Sequence, residues 1–140
     1  MSNGPIGRVT PTEAWQLLQN TPGAVLIDVR SRVEHDYVGH PPDAIPIPWK
    51  EFPDWQVNAD FVAQVRAALI ARGVTTPEQT PICALCRSGG RSLAAGEELL
   101  RHGFEKVWNI EEGFEGDRDA DGHRNTVNGW RARGLPWEQT

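Results

Sequence analysis

Short apolar runs rich in β-branched residues alternate along this chain with segments of helical periodicity, and that alternation leaves few folds open. "AVLIDV" (24–29), "PICAL" (81–85) and "KVWNI" (106–110) have the length and continuity of strands covered on both faces. "AIPIP" (44–48) is a shorter extended piece that its prolines confine to a sheet edge or a strand start. Helical signals fall between these runs. "TPTE" (10–13) is a capping box with proline at the first helical position, followed by an apolar face of Ala14, Trp15, Leu17 and Leu18. "SRVE" (31–34) predicts a second, short capped helix. Over 60–72, Phe61, Val62, Val65, Ala68 and Leu69 form one stripe that Gly73 ends, and "RSLAAGEELLRHG" (91–103) predicts the next helix. Strands separated by helices need crossover connections, so the sheet is expected to be parallel, with its reactive loops at the carboxyl ends of the strands.

A chain of 140 residues fits one domain. At that size it buries roughly two-thirds of its unfolded surface and needs no covalent staple. Its two cysteines, Cys83 and Cys86, lie too close in sequence to clip distant segments together, which points to free thiols and a reducing, cytoplasmic setting. The N-terminus "MSNGPIGRVT" lacks the pattern of a secretory signal, and no apolar run has the length of a membrane span. A net charge of -5 excludes nucleic acid and anionic membrane as main partners, since both call for a basic face.

Against that acidic background, "CRSGGRS" (86–92) is a local exception: a thiol at a strand end, between two arginines, on glycine-flexible backbone. A loop from a strand end into a helix start lets the N–H groups of Arg87, Ser88, Gly89, Gly90 and Arg91 curl around one point, with the glycines permitting the positive φ such a curl needs. The helix dipole and two guanidinium charges then favour a Cys86 thiolate over the thiol. No histidine adjoins the loop to serve as a base. Cys83 shares a C-x-x-C spacing with Cys86, but the pair opens no helix as a thioredoxin-type site does, and Cys83 reads as core packing, with a resolving-thiol role as the alternative.

Taken together, "LIDVRSRVEHDYVGHPPDAIPIPW" and "CRSGGRS" resemble the rhodanese-like family of sulfurtransferases, bacterial single-domain type, over about residues 8–113 and part of the tail. The resemblance implies a five-stranded parallel sheet flanked by helices on both faces, in one domain over 1–140 with an extension, 114–140, packing on the body. It implies that Cys86 is the persulfide-carrying nucleophile and that residues 87–91 cradle the outer sulfur. Asp28 and Arg30 resemble the family's structural acid–base pair; His40 resembles its glycine–histidine position and reads as a hydrogen-bonded structural residue; Ser92 stands behind the loop. The implied partners are a small anionic sulfur donor such as thiosulfate and a cyanide, thiol or protein acceptor, with no cofactor and no metal. Cysteine phosphatases and arsenate reductases of similar fold are the rival class. Their loop has five residues between cysteine and arginine, against four here, and a tighter loop suits a single sulfur atom better than a phosphate. A non-catalytic rhodanese-like binding module typically loses the cysteine that this chain keeps.

In the tail, Asp117, Asp119, Asp121 and Gly122 match half of a calcium-loop pattern, but Asn128 stands at the twelfth position where a bidentate glutamate belongs. The expectation is a polar loop ahead of a short helix, with Trp130, Leu135 and Trp137 docking on the body. The same resemblance suggests that Arg118 or Arg124 helps draw in anionic donors.

Overall fold

The computed structural model describes residues 5–140; the first four residues of the N-terminal stretch lie outside it. β1 (Gly7–Val9) leads into α1 (Pro11–Asn20), whose Thr10 and Glu13 form the reciprocal capping box. Next come β2 (Val25–Asp28) and a π-helical segment, Glu34–Val38, then β3 (Ile45–Pro46), β4 (Lys50–Glu51), β5 (Gln56–Val57) and α2 (Phe61–Ala71). A 3-10 turn (Pro77–Gln79), β6 (Ile82–Leu85), α3 (Gly90–Arg101) and β7 (Val107–Ile110) complete the order. Five strands form one parallel sheet in the order β1-β7-β6-β2-β3, so β6, the strand that leads into Cys86, lies at its centre. Ile45–Pro46 is an edge strand, where a missing proline N–H costs no ladder bond.

Side-chain alternation divides the core into two layers. Ile27, Val29, Ile82 and Cys86 face α2 and α3, against Phe61, Val65, Leu69, Ala95 and Leu99. Leu26, Cys83 and Leu85 face the other way, toward Ala14 and Leu17 of α1 together with Ile110, Phe114 and Trp130. One ten-residue helix cannot cover that second face, and the polypeptide beyond β7 covers the rest. Trp130 is fully buried, meets Trp15 edge-to-face at 6.0 Å, and satisfies its indole N–H on the Pro136 carbonyl at 2.7 Å.

Three local expectations need correcting. The capped turn at Ser31–Glu34 exists, with the Ser31 N–H and hydroxyl on Glu34 Oε1 at 3.1 and 3.0 Å, but it feeds a π-helical segment that runs on to Val38. A two-stranded antiparallel ribbon, β4–β5, stands outside the sheet where no strand pattern was visible. The tail has no helix: residues 130–134 form turns between Gly129 (φ 101°) and Gly134 (φ 75°), whose left-handed backbone stops propagation at either end.

Candidate active site

Cys86 sits at the end of the central strand and is 1% exposed. Its Sγ accepts the Gly89 N–H at 3.1 Å, because Gly89 (φ 111°, ψ -11°) bends the loop back as the N-cap of α3. The amides of Ser88, Gly90 and Arg91 donate to no protein acceptor among the described residues, so the loop presents unspent donors at the positive end of a twelve-residue helix. Such a concave row of N–H groups favours an anion. Arg87 is exposed and Ser88 half-buried, beside the sulfur's loop.

Ser92, buried one residue past Arg91, places its hydroxyl 3.3 Å from Cys86 Sγ, 3.3 Å from the Gly89 carbonyl and 2.5 Å from Asn109 Oδ1. A hydroxyl has one hydrogen, so it cannot serve all three acceptors at once. With a neutral thiol it donates to Asn109 and its lone pairs face the S–H; with a thiolate it can turn its hydrogen to sulfur. Asn109 also donates through Nδ2 to the Gly89 carbonyl at 3.1 Å, which fixes both its amide orientation and the loop. Sequence reading missed Asn109. The available signal was a lone amide inside the apolar run "KVWNI".

The turn after β7 holds the loop from the other side. Phe114 N–H donates to the Cys86 carbonyl at 2.8 Å, and Glu115 and Gly116 N–H donate to the Arg87 carbonyl at 3.0 and 3.2 Å. This needs close backbone approach: a Cβ on Gly113 would lie 2.5 Å from the Arg87 carbonyl atoms and 2.6 Å from the Cys86 oxygen.

Arg91 does not turn into the loop. Its guanidinium forks onto Glu34, with Nη1 to Oε1 at 2.7 Å and Nη2 to Oε2 at 2.9 Å, and lies 5.6 Å from the Trp55 ring centre. Burial alone would push the Glu34 carboxyl up, but the Arg91 fork and charge, with the Ser31 hydrogen bonds, outweigh it and hold it below the ordinary range. Burial likewise opposes the charge on Arg91, and Glu34, aided by Cys86 and Asp28, more than compensates, so the guanidinium stays protonated. The expected arginine beside the sulfur is thus present as a field source, its fork spent on a carboxylate that sequence reading had seen only as a cap. An open cavity of about 810 Å³ is lined by Glu34, Val38, Lys50, Trp55, Arg87, Arg91, Glu115 and Arg124. Arg118 is not among them.

Asp28 and Arg30 pair on the β2 side of the site, both side chains fully buried, through Nε–Oδ1 at 2.9 Å and Nη2–Oδ2 at 2.7 Å. Burial pushes the Asp28 carboxyl up; hydrogen bonds from His35 (2.7 Å) and Arg30, with the Arg30 charge, outweigh it and hold the group low. Arg30 Nη2 also meets the Gly39 carbonyl at 2.5 Å. Arg30 Nη1, with no hydrogen-bond partner among the described residues, has an explanation in the Phe114 ring 4.5 Å from the guanidinium carbon. His40 stacks on His35 at 3.8 Å, bonds the His35 carbonyl through Nδ1 at 2.9 Å, and bridges through its backbone to Glu138. His35 was not singled out from sequence, because nothing in "VEHDY" relates it to Asp28 until the π-helical segment folds it back.

Cys83 is fully buried on the opposite face of the sheet from Cys86, and both thiols are free. Burial pushes the Cys83 thiol up to about 12. The aspartates of the tail do not converge: Asp119 spends its carboxylate on the N–H groups of Asp121 and His123 and on the Thr126 hydroxyl. Among the described residues no group of three or more potential metal ligands occurs, and no helix is long and apolar enough to cross a membrane.

A family model described as "Rhodanese-like domain" matches residues 10–120. An uncharacterized protein of Rickettsia conorii is 32% identical over 139 residues, covering 95% of this chain and 98% of its own. The thiosulfate sulfurtransferase GlpE of Actinobacillus pleuropneumoniae is 25% identical over 130 residues, covering 93% of this chain and 91% of its own. Among solved structures, Rv0390 from M. tuberculosis superposes with a TM-score of 0.84 at 38% identity, over 98% of this chain and 100% of that one.

Proposed function

Since the chain belongs to the rhodanese-like domain family, we propose that it is a sulfurtransferase that moves sulfane sulfur from a donor such as thiosulfate to a nucleophilic acceptor through a persulfide on Cys86. The observation that carries this reading is the sulfur's setting: Sγ on the Gly89 N–H at 3.1 Å, with unspent amides at Ser88, Gly90 and Arg91. A dianionic donor enters from the cationic cavity. The Cys86 thiolate attacks its outer sulfur, a new S–S bond forms, and sulfite leaves with the electron pair of the old one. The outer sulfur, now terminal and anionic, meets the loop amides, whose dipoles are already aligned to receive charge. An acceptor nucleophile then takes that sulfur, and the bonding pair returns to Sγ, where Gly89 and Ser92 receive it. The four-residue spacing to Arg91 favours this over phosphoryl transfer, and two free cysteines suit a reducing cytoplasmic setting.

Intact-mass analysis after incubation with thiosulfate tests it. The expected result is an adduct of about 32 Da, one sulfur, that cyanide removes and that Cys86→Ser does not form. An unmodified thiol in excess donor, together with turnover of an aryl phosphate, overturns it in favour of a phosphatase.

A further inference from the structure

One buried side chain of β7 reaches both residues that donate to Cys86 Sγ. Asn109 lies opposite Ala84 in the register of β7 on β6 and bonds Gly89 and Ser92. Its amide orientation follows from its neighbours. The Gly89 carbonyl can only accept, so the atom 3.1 Å from it is Nδ2, and Oδ1 is left for the Ser92 hydroxyl 2.5 Å away. Oδ1 can only accept in turn, so Ser92 is the donor. That hydroxyl also lies 3.3 Å from Cys86 Sγ and 3.3 Å from the Gly89 carbonyl, but Oδ1 is the nearest of its three acceptors. Its one hydrogen therefore rests on Asn109 while Cys86 is neutral, and it can turn to Sγ only by leaving Oδ1. Among the described residues Oδ1 has no second donor, and a buried acceptor stripped of its hydrogen bond is costly. Ionisation of Cys86 carries that cost.

We propose that Asn109 is a positioning residue that competes with Cys86 for the Ser92 hydrogen, and so sets how readily the thiol ionises and how nucleophilic its thiolate is. The loop amides, the dipole of α3 and the charge on Arg91 all favour the thiolate. A thiolate stabilised too far attacks slowly, because its reactivity falls with its basicity at a Brønsted coefficient of about 0.4–0.5. Asn109 opposes that pull without adding a charge. The charged groups around Cys86 are Arg87 and Arg91 on its own loop and helix, Asp28 on the β2 side, bonded by Arg30 and His35, and Glu34 on the π-helical segment, paired with Arg91. Lys50 faces the loop from the ribbon, and Glu115 and Arg124 face it from beyond β7. Asn109 bonds none of these among the described residues, so an uncharged replacement leaves them all in place. On the sulfurtransferase reading the same hydrogen has a second use. It stays on Oδ1 while Sγ is neutral in the persulfide, and it turns to Sγ when the acceptor takes the outer sulfur and the bonding pair returns there. Only the hydroxyl rotates; no proton leaves Ser92.

The test titrates the resting thiol, by the ultraviolet absorbance of the thiolate and by the rate of alkylation with iodoacetamide against pH. Cys83, pushed up to about 12, stays silent over the range. Asn109→Leu, which keeps the shape of the side chain, is expected to lower the Cys86 midpoint by about 0.5–1 pH unit and the plateau alkylation rate by roughly two- to threefold. Ser92→Ala removes the hydrogen and is expected to raise the midpoint, and Asn109→Leu to add nothing to it in the double variant. Asn109→Ala supplies the same comparison if the leucine variant does not fold. A midpoint that rises or stays put without Asn109 overturns the proposal, since Asn109 then only braces the loop through Gly89. A fall that persists in the Ser92→Ala background, or a wild-type midpoint in Ser92→Ala alone, overturns it as well. None of these readings needs a persulfide. If the expected pattern is found and thiosulfate forms no adduct, the role of Asn109 stands and the sulfur-transfer reading falls.

Discussion

Two thiols three residues apart, Cys83 on β6 and Cys86 just past its end, have opposite fates because extended backbone alternates its faces. Cys86 meets a row of amides, whereas Cys83 is sealed among Leu26, Leu85 and Trp130 with no polar partner among the described residues. A thiol that burial has raised to about 12 stays protonated when folded and ionises in the unfolded chain near its free value of about 8.5. Its contribution is therefore fully present below about pH 8.5 and is lost as pH rises toward 12. Urea denaturation at pH 8 and pH 10 should show the wild type losing about 2 kcal/mol more than Cys83→Ala between the two. Parallel losses would mean that Cys83 is not sealed. Persulfide formation should persist in this variant, since Cys83 faces away from the loop.

At the scale of elements, the Cys86 loop is positioned by a neighbour it does not touch in sequence. The turn after β7 donates three N–H groups to the carbonyls of Cys86 and Arg87, and Asn109 of β7 grips Gly89, so the N–H groups of Ser88, Gly90 and Arg91 stay free to face a ligand. Gly113 makes this approach possible and has φ 66°, so a methyl there must push the loop carbonyls away. Gly113→Ala is expected to keep the fold by circular dichroism while lowering kcat/KM for thiosulfate by roughly tenfold or more. A wild-type rate would show that the loop holds its shape without this contact.

At the scale of the molecule, the polypeptide beyond β7 is part of the core. It fills the sheet face that α1 leaves open, closes on itself through Glu112, which accepts from the Gly129 N–H at 2.9 Å and pairs with Arg133, and ties back to the His35–His40 stack through Glu138, whose backbone pairs with that of His40. Trp130→Ala empties a fully buried indole site and is expected to cost ~3–5 kcal/mol by urea denaturation. A loss under about 1 kcal/mol would mean that the tail rests on the body without completing it.

The parallel α/β architecture and the thiol in its loop were legible along the chain, because strand runs, capping boxes and the glycines of "CRSGGRS" are local signals set by backbone and side-chain period. The Asp28–Arg30 pairing was legible only through family resemblance. What sits across from those segments was not legible. Asn109 behind Ser92, His35 on Asp28, the Glu34 fork that takes Arg91 out of the loop, and Gly113 beneath the Cys86 carbonyl all join residues from separate elements. The β4–β5 ribbon has only two residues in each strand, too few to show a period. The turns at 130–134 replace a helix because two left-handed glycines bracket them and because Trp130 gains more by burial under α1 than one helical turn would return. Periodicity determines which elements form, while pairing across elements is a property of distances that only the folded chain creates.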